Sequence, residues 1–391
     1  MALRIGILSF SRYFNYGTQL QLFALQRAIQ DLGYDPWVID YSRVPSTRER
    51  HGFRDLPVHS GDQTSGGIMQ RLLSLRTRVE EHWRYRMEMR RYRKFSLFQD
   101  ERLRFEDTVS YESSMDLVRS PPPYDAFVVG SDQVWSPFLH VGDPAYFLTF
   151  APRAQRVSYS PSMGAAEIAP GLERWFAEHV SAIPHLSVRE SAAARLIERL
   201  TGRVPKVVAD PTLLHTPETW TSFSSSVSEA QRPYVLQYVL QGDEYIREFA
   251  LSVAKERDLR VVTIPIHPRD MKWRHKRVTR AWDVGPEEYL SLFANASYVC
   301  TDSFHGTIFA TLFRCPFSVF RRYESGLETR VFGRISEFLN LTGLGEREAR
   351  ADSAPANMNA DIDFDSAHGA IQRHRDHSLE FLRDSLETAC S

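Results

Sequence analysis

The densest run of reactive side chains in this sequence is Thr301-Asp302-Ser303-Phe304-His305-Gly306-Thr307. It follows an apolar run of buried-strand length, Tyr298 to Thr301, and opens a stretch of helical periodicity, His305 to Phe313. An acid, several hydroxyls and an imidazole at a strand-to-helix junction exceed what packing requires. Imidazole changes charge nearest neutral pH, which suits it to general acid or base work. Three other strand ends carry polar groups. Arg189 closes the strand pattern His185 to Arg189 within Ser187-Val188-Arg189-Glu190; its guanidinium offers a fork to a carboxylate or phosphate, or pairs with Glu190 or another acid. Ser131, Asp132 and Gln133 follow the buried strand Tyr124 to Gly130, where Asp132 serves as a base or, on the plainer reading, as a helix N-cap. Asn15, Tyr16, Gly17, Thr18 and Gln19 follow the first strand, and Gly17 lets backbone turn tightly against a ligand or simply completes a capped turn.

These clusters need a scaffold that brings strand ends together. Arg4 to Phe10 has the apolar continuity of a buried strand, and from Thr18 to Leu32 the period changes to that of a helix, ended by Gly33. Trp37 to Tyr41 is the next strand, completing a βαβ unit. The pattern restarts at Tyr234 to Leu240, with a helix from Glu244 to Arg257 and a strand from Leu259 to Pro265. A serine-dense run, Ser222 to Ser228, is the expected linker. The expected fold class is therefore α/β, with two Rossmann-like domains, 1–225 and 232–391, facing a cleft; Ser366 to Thr388 forms a long C-terminal helix. In such sheets ligands collect beyond the carboxyl ends of the strands, where all four clusters lie.

Composition narrows the function. The 391 residues carry 48 Lys and Arg against 49 Asp and Glu, so no global field attracts nucleic acid. Three cysteines, with no C-x-x-C pair and no zinc spacing, point to a reducing compartment, the cytoplasm by default, and to no metal. The N-terminal apolar run is too short for a signal-peptide core, and no run of about 18 apolar residues spans a membrane. Charge is nonetheless uneven. Between Arg71 and Arg104 eleven Lys and Arg face five Asp and Glu, interleaved with aromatic residues in a helical segment, 68–105, which is either a solvated face or a peripheral contact for an anionic lipid or glycolipid. Pro45 to Gly67 is expected to be an irregular surface segment. Glycine-rich dinucleotide fingerprints, Walker loops, G-x-S-x-G elbows and H-E-x-x-H are missing.

Taken in order, N-Y-G at 15–17, D-A-F-V-V-G-S-D-Q-V-W at 125–135, S-V-R-E at 187–190, D-P-T-L-L at 210–214 and T-D-S-F-H-G-T at 301–307 resemble the polysaccharide pyruvyl transferase family, from Ile5 to about Leu382. The resemblance implies a glycosyltransferase-B-like fold and transfer of a pyruvyl group from phosphoenolpyruvate to paired hydroxyls of a polysaccharide or lipid-linked sugar, forming a ketal. Phosphoenolpyruvate is then a co-substrate, with no further cofactor. Arg189 and His305 are implied to hold the donor, and Ser303, Gly306 and Thr307 at the helix start complete the expected donor set. His305 is the expected acid, base or donor ligand, with Asp302 orienting it or Asp132 activating an acceptor hydroxyl. Asn15, Tyr16, Gly17, Gln19, Ser131 and Gln133 form the expected acceptor side. Ser303-Phe304-His305 stands where family members often have R-L-H, so a second cation is sought at Arg321, Arg322 or Arg330. A nucleotide-sugar glycosyltransferase and a non-catalytic glycan-assembly protein are the competing readings of the same shell.

Overall fold

The computed structural model describes residues 2–41, 68–106, 110–138, 142–165, 167–241, 244–321, 328–349 and 361–391, with backbone alone for 68–81, 83–84 and 328–332. The expected irregular segment, Pro45 to Gly67, lies outside the described residues, as does Arg322.

Four parallel strands, β1 (Arg4–Leu8), β2 (Asp35–Val38), β3 (Ala126–Val129) and β4 (Arg156–Ser158), form the first sheet in the order β2-β1-β3-β4. Every residue of β3 and all but the first of β1 are buried, as expected for strands covered on both faces. A bridge from Val157 to His185 leads to a parallel pair, β5 (Ser187–Val188) and β6 (Lys206–Val207). The second sheet is parallel throughout and runs β12-β11-β10-β7-β8-β9. Its strands are β7 (Tyr234–Tyr238), β8 (Arg260–Thr263), β9 (Val278–Arg280), β10 (Tyr298–Thr301), β11 (Phe317–Phe320) and β12 (Glu348–Ala349). The chain is α/β with parallel sheets in two domains, as the hydrophobic periodicity implies.

The helices are α1 (Tyr16–Asp31), α2 (Ile68–Arg102), α3 (Ser114–Arg119), α4 (Pro170–Ser181), α5 (Ser191–Thr201) and α6 (Pro217–Ser222) in the first half. The second half adds α7 (Glu244–Glu256), α8 (Pro268–Lys272), α9 (Pro286–Ala294), α10 (Phe304–Leu312), α11 (Glu328–Thr342) and α12 (Phe364–Ala389). Asn15 caps α1 by accepting from the Thr18 amide at 3.2 Å, and Gly33, at φ +93°, turns the chain out of it. No sequence expectation covered α4, α11, β9 or β12, and α11 proves to matter for the site.

A continuous apolar cluster joins the halves. Tyr16 of α1 stacks on Tyr289 of α9, with centroids 4.6 Å apart, and its hydroxyl donates to the Val284 carbonyl at 2.8 Å. The second part of α2 reinforces this seam: Phe95 and Phe98 are buried, Lys94 Nζ reaches Glu288 at 2.7 Å and Arg102 reaches Glu287 at 2.8 Å. Arg91 is also buried and donates to the Pro265 carbonyl, while Arg104 pairs with Asp35. The local excess of positive charge is thus used largely within the molecule in this part of α2. At Arg91, Lys94, Arg102 and Arg104 the charge therefore serves contacts within the molecule, so neither a solvated face nor a lipid contact describes these four. Arg86 and Arg90 are exposed. No helix among the described residues is long and apolar enough to cross a membrane.

Helix α12 packs on α11 and returns to the first half. Arg375 donates to the Leu213 and His215 carbonyls at 2.6 and 2.9 Å, and Ser378 accepts from the Ala209 amide. These bonds hold the short 3-10 turn Pro211–Leu214 that follows β6, and with it Asp210.

Candidate active site

Four chain segments converge where the two halves meet. Past β5, Arg189 is almost wholly buried, its side chain 3% exposed, and its Nη1 donates to Asp210 Oδ2 at 2.6 Å while Nε donates to Glu190 Oε1 at 3.1 Å. Its Nη2 is buried without a hydrogen-bond acceptor. Asp210 follows β6 and is itself fixed by the Thr212 amide and hydroxyl at 3.0 and 2.7 Å. In the first turn of α10, His305 brings Nε2 to 3.5 Å from the same Asp210 Oδ2. The other side of that ring rests on Gly17: a Cβ there would stand 2.0 Å from His305 Nδ1. Gly17 is therefore needed for the close approach of two elements from opposite halves.

Electrostatics follow from this packing. Burial alone would raise the Asp210 carboxyl, but His305, Arg189 and Thr212 outweigh it and hold the group well below the usual carboxylate range. Burial likewise opposes charge on Arg189, and Glu190, Asp210 and Asp132 more than compensate. A carboxyl held below its unfolded value of about 4 adds stability that is complete above that pH and fades as pH falls through the lower folded value. Asp210→Asn should therefore cost stability above about pH 5, with the loss shrinking as pH falls through the acid range; chemical denaturation from neutral to acid pH checks this, and a loss that does not shrink in acid would contradict it.

Several expected site residues have other occupations. Both oxygens of Asp302 accept backbone amides, Leu240 at 2.7 Å and Gln241 at 3.0 Å, so it fixes the loop after β7. The carboxylate set against His305 is Asp210, which corrects the orienting role expected of Asp302. Ser303 is the N-cap of α10, accepting from Gly306; Thr307 is fully buried and its hydroxyl bonds back to the Ser303 carbonyl. A Cβ on Gly306 would press on Thr301 Oγ1 at 2.5 Å. These three form the helix start rather than extending from it. Removing the Asp302 carboxylate leaves two amides without acceptors at about 1–3 kcal/mol each. Asp302→Ala should therefore lose stability and speed hydrogen exchange at Leu240 and Gln241; unchanged exchange would refute the loop-fixing role.

On the opposite wall, Asp132 caps no helix. It sits at φ +65° and accepts from the Thr18 hydroxyl at 2.5 Å and the Gln133 amide at 2.8 Å. It is buried and linked to Arg189 by charge, so it borders the site without meeting His305 directly through any hydrogen bond described. Ser131 is fully buried and donates to the Ser160 carbonyl; Gln19 is fully buried and anchors the Ser11 and Tyr13 carbonyls. Tyr16 serves the seam between the halves. These three are corrected from acceptor-binding to structural positions. Asn15 is exposed and Gln133 partly so, which leaves them reachable.

Residues outside the expected set complete the arrangement. Asp210 and Glu190 neutralise Arg189, and Ser162 donates to Glu190 at 2.5 Å. Arg334 of α11 is buried, with its guanidinium carbon 5.6 Å from the centroid of the Phe304 ring, over which Arg189 also lies at 4.9 Å. Next to Arg189 and Asp210 is a cavity of about 220 Å³. The amphipathic spacing of Ile335, Phe338 and Leu339 is the signal by which α11 is recognisable in the sequence. Among the described residues no group of three or more His, Cys, Asp or Glu is placed to hold a metal ion. Chemically, the junction offers an imidazole that can take or give a proton, a carboxylate to stabilise its charged form, and guanidinium groups that favour an anion.

Gly17 supplies a test of that junction. Gly17→Ala should displace the His305 ring and cut turnover by about 100-fold, the scale of a misplaced catalytic group, with the fold retained by circular dichroism. Full activity in this variant would show that the close approach is unimportant.

The chain has counterparts among known folds. The structure of Anabaena Alr3699/HepE in complex with UDP and glucose is similar to it with a TM-score of 0.53, at 11% identity over 98% of this chain and 99% of that one. Methanocaldococcus jannaschii UDP-GlcNAc 2-epimerase, in complex with UDP-GlcNAc and UDP, gives 0.45 at 13% identity over 96% and 93%. The first likeness supports the glycosyltransferase-B-like fold. No curated protein matches the sequence significantly. The family described as polysaccharide pyruvyl transferase matches residues 15–323, a span containing Gly17, Arg189, Asp210 and His305. With most of its length covered by that match, the chain belongs to the polysaccharide pyruvyl transferase family, a family of transferases.

Proposed function

We propose that this transferase moves the pyruvyl group of phosphoenolpyruvate onto two hydroxyls of a sugar in a polysaccharide or lipid-linked precursor, forming a ketal in the cytoplasm. Family membership supports the reaction class, and the Arg189-Asp210-His305 junction is the observation that carries the chemistry.

The donor is an enol ester of phosphate that also bears a carboxylate. Protonation of its terminal CH₂ makes a methyl group and leaves the adjacent carbon electrophilic; a sugar hydroxyl attacks there and gives up its proton. The carbon–oxygen bond to phosphate then breaks, and a second hydroxyl closes the ketal while its proton leaves with phosphate. One proton enters at carbon and two leave from oxygen, so a single group that alternates between acid and base serves both stages. His305 has the position for this, with Asp210 stabilising the imidazolium as it forms. Arg189 stabilises the donor's negative charge in a buried setting where such contacts are strong.

Phosphate release from phosphoenolpyruvate, screened against free and lipid-linked galactose, mannose and glucose acceptors, tests this reading. Release that depends on both donor and acceptor is expected. A thermal shift with a UDP- or GDP-sugar and none with phosphoenolpyruvate would favour the nucleotide-sugar alternative. If the acceptor is lipid-linked, the exposed Arg86 and Arg90 on α2 are the basic groups that meet anionic headgroups.

A further inference from the structure

We propose that Arg334 is the second cation of the donor's anion site, supplied from α11 in place of a basic residue at Ser303. The proposal rests on the reading of the donor as a small dianionic molecule and assigns a residue to it.

A donor with a carboxylate and a phosphate needs more positive charge than Arg189 alone supplies. Two of that guanidinium's nitrogens already serve Asp210 and Glu190. Ser303 is committed to capping α10 and carries no charge. Of the cations sought after β11, Arg321 is paired with Glu348 of the edge strand and does not line the cavity beside Arg189. The side chain of Arg330 lies outside the described residues; Arg334, one turn further along α11, lies over the Phe304 ring that Arg189 also covers. The separation of the two guanidinium carbons is therefore bounded by the sum of their distances to that centroid. Both residues line the cavity of about 220 Å³, together with Asp210, Phe304, Glu337 and His374. A water's share of liquid volume is about 30 Å³, so the space admits a three-carbon phosphate.

The placement of Arg334 is itself built. One turn further along α11, Glu337 accepts from the Ser191 amide at 2.9 and 3.2 Å through its two oxygens, and from the Ser191 hydroxyl. It thereby closes the N-terminus of α5, whose N-cap Glu190 makes no side-chain capping bond. Residues three apart on a helix share a face. Seating Glu337 on α5 therefore holds Arg334 toward the junction.

Isothermal titration of the full chain with phosphoenolpyruvate, inorganic pyrophosphate and UDP, without acceptor, tests the assignment in wild type, Arg334→Gln and Arg334→Lys. Loss of a charged hydrogen bond predicts phosphoenolpyruvate binding weakened by about 10- to 100-fold in Arg334→Gln, with partial recovery in Arg334→Lys. The melting temperature of each variant verifies folding. Wild-type affinity in both folded variants would overturn the proposal. If wild type instead binds pyrophosphate or UDP but not phosphoenolpyruvate, and Arg334→Gln loses that binding, the donor reading fails while the role of Arg334 stands. Absence of binding by all three anions to wild type overturns the assignment.

Discussion

Arg189→Ala is expected to abolish donor binding and also to destabilise the protein, because the guanidinium is at once ligand and counter-ion. Its side chain is 3% exposed between Asp210 at 2.6 Å and Glu190 at 3.1 Å. Removing one member of a buried charge cluster leaves the others uncompensated, a loss of about 3–5 kcal/mol. Asp210 would lose one of the groups that keep its carboxyl low and, through it, the counter-ion of His305 would weaken. Arg189→Lys keeps a charge but not the planar fork that serves two carboxylates together, so it should recover part of the stability and little of the activity. Differential scanning calorimetry and donor titration separate the two effects. An alanine variant with native stability would mean that the buried pairs are not as close in solution as in the structure.

His305→Ala should behave oppositely. The His305 side chain is 12% exposed, and its loss leaves both atoms of the Arg189-Asp210 pair in place. Stability should change by no more than about 1 kcal/mol, the scale of one hydrogen bond, whereas turnover should fall by about 10²- to 10⁴-fold, the contribution typical of a positioned acid or base. His305→Gln, which fills similar space without an equivalent proton-transfer group, should be as slow as alanine while retaining donor binding. Unimpaired turnover in either variant would remove His305 from the chemistry, whatever the reaction proves to be.

The contrast between these residues shows what the sequence made legible. Arg189 and His305 stand where the apolar period stops at a strand's end, and in a parallel sheet that position alone brings them toward a common crevice. The switch from strand to helix period likewise exposed the two α/β halves. Asp210 was harder to see, because D-P-T reads as turn punctuation and its partners lie 21 and 95 positions away in sequence. Polar residues near strand ends misled in the other direction. Gln19, Ser131 and Thr307 have side chains suited to ligands, yet each is fully buried and bonded to backbone carbonyls. Satisfying buried polar backbone demands such residues as strongly as binding does. The basic stretch of α2 similarly looked like an external surface because its acidic complement, Glu287 and Glu288, is contributed by the other half. Arg334 required α11 to be placed against α5, a contact between distant segments that no local spacing encodes.

The most direct test is to incubate the purified chain with carbon-labelled phosphoenolpyruvate and the glycan acceptor panel, following label and phosphate together by nuclear magnetic resonance. The account predicts that wild type releases one phosphate for each labelled methyl group appearing on a ketal carbon of the sugar, and that His305→Ala, still binding the donor, forms neither at a comparable rate. Transfer of a sugar from a nucleotide donor by the same protein, with phosphoenolpyruvate left unconsumed across the panel, would contradict it.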